Sequence, residues 1–215
     1  VLISMTMLLM LYVGGGRTWH ILACVGVASV FASILVMTQA YRMRRILAFL
    51  DPWKDPLDSG FQIIQSFIAI GTGGWFGRGL GESRQKLFFL PDAHTDFIFA
   101  IFSEELGFLW VCLLVSLFAL FLWRGFWIAW HAPDTFAKFL AFGCTTVLSL
   151  QIIINLFVVT GLLPTKGLPL PFISAGGSAL LMVLTCSGIL LNISHHIHEQ
   201  SGTRSPRMQR SPLPV

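Results

Sequence analysis

The chain has 215 residues, of which 55% are hydrophobic and 11% charged. That leaves too little polar surface to coat a water-soluble globule of this length, so a membrane is the natural solvent. The net charge of +4 is small, and the Lys and Arg residues lie in loops and the tail with no basic patch interleaved with aromatics, which excludes nucleic acid as a partner.

A hydrocarbon core about 30 Å thick is crossed by about 20 apolar residues in a helix. Four stretches reach that length, 20–40, 97–123, 136–161 and 174–193, and 1–13 reads as the remaining part of a fifth span. The chain opens without an initiator Met or a basic leader, so it reads as the C-terminal part of a longer protein. The expected fold is an all-α polytopic membrane protein of about five transmembrane helices. Residues 1–40 form two of them, the first partial, 41–96 a long loop that carries the site, 97–193 three more with a Pro-rich connector, and 194–215 a disordered tail.

Five passes put the long loop and the connector 162–172 on one side. Counting every loop, that side carries eight Lys or Arg against six; setting the long loop aside, as the positive-inside rule loses force near about 60 residues, the count is one against six. The second count places the tail in the cytoplasm and the long loop outside. Cys24, Cys112, Cys144 and Cys186 stand singly in apolar stretches, without metal-ligand spacing, and read as packing residues.

The long loop is too patterned for a bare connector. Six glycines fall between Gly71 and Gly81, a density suited either to wrapping phosphates or sugars with backbone N–H groups or to a flexible surface loop. Neither a P-loop nor a dinucleotide fingerprint is present, since the Lys-Ser/Thr ending is missing and no strand precedes the glycines. His94, Thr95 and Asp96 stand at the mouth of the next apolar helix. Asp96 fits two roles there, a helix cap or a general base toward a sugar hydroxyl, and His94 fits either the same base role or that of a hydrogen-bond partner and orienter.

Glu104 and Glu105 lie about two turns further on, inside the apolar run, where ionisable groups are costly. At about 100° per residue Glu104 falls within a quarter turn of the Asp96 face and is the better site candidate; the alternative is that both glutamates pair with Arg or backbone. The connector, with Pro164-Thr165-Lys166-Gly167-Leu168-Pro169-Leu170-Pro171, ends in small residues from Ser174 to Ser178. It suits either an anion such as pyrophosphate, with Lys166 supplying charge, or close helix packing. Arg44 and Arg45 sit at a membrane boundary and either bind phosphate or reach to lipid headgroups. His195, His196 and His198 suggest adventitious metal binding only.

Taken together, several motifs resemble the family of shape, elongation, division and sporulation membrane proteins, and its division branch above its elongation branch. The resemblance runs from about residue 41 to about residue 192. It rests on the run 51–56, on Gly73-Gly74-Trp75-Phe76-Gly77 with Gly79-Leu80-Gly81 and Gln85-Lys86, on His94-Thr95-Asp96-Phe97-Ile98-Phe99-Ala100, on Glu104-Glu105-Leu106-Gly107, and on the Pro-Thr-Lys-Gly connector. Two positions depart from the family pattern: Ser174-Ala175-Gly176-Gly177-Ser178-Ala179 replaces Ser-Tyr-Gly-Gly-Ser-Ser, and Asp92 replaces Glu.

The resemblance implies the last five of about ten membrane helices, in the bacterial cytoplasmic (inner) membrane at the division septum. It implies an inverting peptidoglycan glycosyltransferase that polymerises lipid II; a lipid II flippase or a non-catalytic division scaffold are the alternatives. Asp96 matches the family's essential acidic residue and either deprotonates the incoming hydroxyl or holds a divalent cation, magnesium or manganese. Arg44, Arg45, Arg78, Gln85, Lys86, His94, Thr95, Glu104, Lys166 and Ser174 are the expected substrate-binding residues. The expected partners are a class B penicillin-binding transpeptidase and other division proteins.

Overall fold

A computed structural model describes residues 2–38, 40–54, 56, 60–82 and 96–203. They form α1 (Leu2–Val13), α2 (Thr18–Met37), α3 (Ala40–Leu50), a short 3-10 turn (Pro52–Lys54), α4 (Phe61–Gly73), α5 (Ile98–Leu106), α6 (Phe108–His131), α7 (Thr135–Val159) and α8 (Gly177–Thr203). Four of them, α2, α6, α7 and α8, are long and apolar enough to cross a membrane, and α1 and α4 are shorter apolar helices.

The bundle is organised around α7, against which α1, α6 and α8 pack. Phe97, Phe99 and Ile101 from the start of α5, Phe118 of α6, Leu150, Ile154 and Val158 of α7, and Leu170 of the connector form one core. At the other end of the bundle Ile128, Ala141, Leu190 and Ile193 join α6, α7 and α8. Lipid is as apolar as leucine, so close packing and internal hydrogen bonds hold such helices together. Gly125 illustrates this: a β-carbon there would meet Thr145 Oγ1 at 2.6 Å, so only glycine lets α6 approach α7 so closely. The hydroxyls of Thr145 and Ser149 are satisfied within α7 by the carbonyls four residues earlier, at 2.8 and 2.7 Å. By contrast α2 buries none of its residues.

Three expectations need correction. The region 41–96, expected as one long loop, contains most of α3 and all of α4. The apolar run 97–123 is two helices, broken at Gly107, which has φ 83° and ψ −179°. Its cause lies elsewhere in the chain: the turn after α4 runs alongside the break, with Arg78 N–H donating to the Glu104 carbonyl, Gly79 N–H to Glu105, and Phe108 N–H to Gly74, at 3.0, 3.0 and 2.9 Å. The third concerns the end of the chain, where α8 starts at Gly177 and continues through Thr203 instead of ending at 193. Glu199 supports this last part by pairing with His196 and His195 at helical spacing, 3.3 and 3.7 Å away.

Candidate functional site

Asp96 lies just ahead of α5, whose N-cap position is Phe97 with no side-chain capping bond. The carboxylate faces the Pro-Thr-Lys-Gly connector, and a β-carbon on Gly167 would stand 3.1 Å from Asp96 Oδ2. The absence of a side chain at Gly167 is therefore what lets the connector come up to Asp96. From the other flank, α3 reaches the same connector, as Arg45 Nη1 donates to the Thr165 carbonyl at 3.0 Å. Lys166 is exposed between them, and Arg44 is exposed on α3.

Behind these segments α7 presents two amides one turn apart. Asn155 Nδ2 donates to the main-chain carbonyls of Asp96 (2.9 Å) and Leu168 (2.7 Å), and Gln151 Nε2 donates to the Pro169 carbonyl at 2.9 Å. Prolines leave the connector few N–H donors of its own, so its carbonyls are met by side chains of the neighbouring helix. Ser174 closes the connector by accepting the Leu170 N–H at 2.7 Å. Phe172, at φ 67°, occupies the left-handed region that costs a residue with a side chain about 1–2 kcal/mol. Its ring meets Phe121 of α6 edge-on, 5.4 Å between centroids.

Glu104 belongs to a different cluster, eight residues and roughly 12 Å along the helix axis from Asp96. It is 1% exposed, with Arg78 Nη1 at 3.7 Å from its Oε1 and the Thr72 hydroxyl at 3.5 Å. Among the readings open to it, the structure gives Glu104 an arginine partner at the crossing of α4 and the α5–α6 break. Within the glycine-rich segment Gly73 and Gly77 lie against the carbonyls of Ser103 and Glu105, while Gly71, Gly74 and Gly81 face open space.

The structure thus brings together Asp96, Arg45 and the connector with Lys166 and Ser174, while Arg78 and Glu104 form a second group. Gln85, Lys86, His94 and Thr95 lie outside the described residues. Gln151 and Asn155 were missed by sequence reasoning. The signal available was two uncharged amides four residues apart in an otherwise apolar span. As for a divalent cation, no three His, Cys, Asp or Glu side chains converge to hold one among the described residues. No step is derived through a metal.

The family model described as "Cell cycle protein", which groups FtsW, RodA and SpoVE, matches residues 1–199, beyond both ends of the stretch that the motifs cover. The chain belongs to this family. It is 54% identical over 187 residues to a "Probable peptidoglycan glycosyltransferase FtsW" of Geobacter sp. (strain M18), covering 87% of this chain and 51% of that protein. It is 50% identical over 193 residues to "Stage V sporulation protein E" of Bacillus subtilis (strain 168), covering 89% and 52%. Among solved structures, one described as "Structural coordination of polymerization and crosslinking by a peptidoglycan synthase complex" contains a chain that matches with TM-score 0.65 and 31% identity, over 88% of this chain and 53% of that one. The chain spans about half the length of the curated relatives it matches. Family and fold together make it an all-α, multi-pass protein of the bacterial inner membrane, in a division-associated family.

Proposed function

We propose that this chain is the C-terminal half of a septal peptidoglycan glycosyltransferase that polymerises lipid II. The observation that carries the reading is the Asp96 carboxylate held against Gly167 of the Pro-Thr-Lys-Gly connector, beside Arg45 and Lys166. A base and a set of cations at one mouth of the bundle match the two demands of glycosyl transfer to a hydroxyl. In the proposed reaction the 4-hydroxyl oxygen of one lipid-linked disaccharide attacks the anomeric carbon of another. The bond from that carbon to the pyrophosphate oxygen breaks, with inversion, and the hydroxyl proton passes to Asp96. Lys166 and the Arg44–Arg45 pair stabilise the charge that develops on the departing undecaprenyl pyrophosphate. Arg78, paired with Glu104, holds the scaffold instead. A class B penicillin-binding transpeptidase that cross-links the strands is the proposed partner.

The test is polymerisation of labelled lipid II by the purified full-length protein with its transpeptidase, comparing the native protein with Asp96→Asn. Strands from the native complex and a loss of about a hundredfold or more in the variant are expected, within the usual size of general-base effects. Strands made at the native rate by Asp96→Asn would overturn the role of Asp96. No strands from either folded complex would shift the assignment to a flippase or a scaffold.

A further inference from the structure

Asn155, one turn before the end of α7, is 1% exposed, a costly place for an amide unless its hydrogen bonds are made. Both of its N–H bonds are used, one on the chain at Asp96 and one on the connector at Leu168, which are 72 residues apart in sequence (168 less 96). Its Oδ1 is buried and has no hydrogen-bond partner among the described residues. Replacing a buried amide by leucine is near neutral only where its partners are replaced as well, and here both partners are main-chain carbonyls that would remain. Among the described residues only the donor end is engaged, and what it engages is the backbone on both sides of the gap between Asp96 and Gly167.

We infer that Asn155 is a positioning residue for the reaction proposed above, on which this inference rests: it sets the distance between the Asp96 carboxylate and the Pro-Thr-Lys-Gly connector. Removing its donors leaves two buried carbonyls facing an apolar side chain, and the two segments separate to find other partners. A general base displaced by about 1 Å costs about a hundredfold in rate. Binding of the lipid-linked substrate draws on a wider surface and changes little.

The experiment uses the full-length protein in complex with its transpeptidase and labelled lipid II, and compares the native protein with Asn155→Leu, Asn155→Asp and Asp96→Asn. Asn155→Leu is expected to lower kcat roughly tenfold to a hundredfold with KM within about twofold of native. Asn155→Asp supplies a readout that a packing defect would not move. Its buried carboxyl faces two carbonyl oxygens, which favour the protonated form, and only that form donates a hydrogen bond. The rate of Asn155→Asp relative to native therefore falls as pH rises from about 5.5 to about 8.5, a range that spans a raised carboxyl pKa. Asp96, Arg45 and Lys166, the charged groups on the segments around it, are common to both proteins and largely cancel in that ratio.

A native kcat in Asn155→Leu, with Asp96→Asn inactive, would overturn the positioning role and leave the reaction intact. So would a pH-independent ratio for Asn155→Asp. Absence of strands from the folded native complex would overturn the reaction itself and this inference with it.

Discussion

Gly77 has φ 79°, and its α-carbon lies against the backbone of Glu105 and Leu106. Alanine there meets two penalties at once, a left-handed backbone worth about 1–2 kcal/mol and a β-carbon driven into a carbonyl that cannot move without breaking the Gly79 to Glu105 hydrogen bond. Gly71, six residues earlier and inside α4, has a helical backbone, and a β-carbon on it would have no neighbour within 4 Å. Gly77→Ala in the detergent-purified full-length protein is expected to lose about 2 kcal/mol or more of stability. Gly71→Ala is expected to stay within about 0.5 kcal/mol of native or to gain up to about 1 kcal/mol. Thermal unfolding of the two variants side by side checks this, and equal midpoints would mean that the turn after α4 does not clasp the α5–α6 break. The same crossing explains Glu104, whose carboxylate is buried where Arg78 can reach it. Its worth is in holding the break, since a lone buried carboxylate is far costlier than a paired one.

At the scale of elements, the connector between α7 and α8 is held by three side chains on two helices, Arg45 of α3 and Gln151 and Asn155 of α7. The two amides have separable jobs, because Gln151 touches only the connector while Asn155 also holds the Asp96 backbone. Gln151→Leu frees the Pro169 carbonyl and loosens the segment that carries Lys166. One lost neutral hydrogen bond is worth about 1 kcal/mol, so kcat is expected to fall roughly fivefold with KM for lipid II near native. Steady-state polymerisation kinetics check it; a rise in KM with unchanged kcat would show that the connector holds bound substrate and that Lys166 does not act on the departing pyrophosphate. These contacts also mark the limit of sequence reading. Apolar spans close to α2, α6, α7 and α8 were legible because long apolar runs are a local property, and Asp96 and the connector could be singled out as candidates from their motifs. The break at Gly107 was not, because an isolated glycine in an apolar run is common and what opens the helix here is the backbone around Gly74, more than thirty residues away in sequence. Asn155 was hidden for a similar reason: its meaning lies in two carbonyls that only the fold brings to it.

Across the whole molecule, chain direction sorts the charges. The ends of α2, α4 and α7 and the starts of α5, α6 and α8 share one end of the bundle, where Arg44, Arg45, Arg78, Asp96 and Lys166 lie. Arg17, at the start of α2, and Arg124 and Lys138, either side of the α6–α7 turn, lie at the other. There Arg124 stands over the Trp127 ring and Lys138 over the Trp130 ring, at 5.1 and 5.2 Å from the centroids. Cations over tryptophan at helix ends are the arrangement expected at a headgroup layer, where the ring anchors the helix and the charge stays in water. With the long loop set aside, since the positive-inside rule loses force near about 60 residues, the count of one Lys or Arg against six gives the expected orientation, this second end in the cytoplasm and the Asp96 end outside. Alkaline phosphatase folds into active enzyme only outside the cytoplasm, so fusions to the full-length protein test the orientation directly. Activity is expected for a fusion after Lys54 and none for fusions after Ala132 or Glu199. The reverse pattern would place Asp96 and the connector on the cytoplasmic face, where strands of the outer wall cannot be built, and the polymerase reading would fall with it.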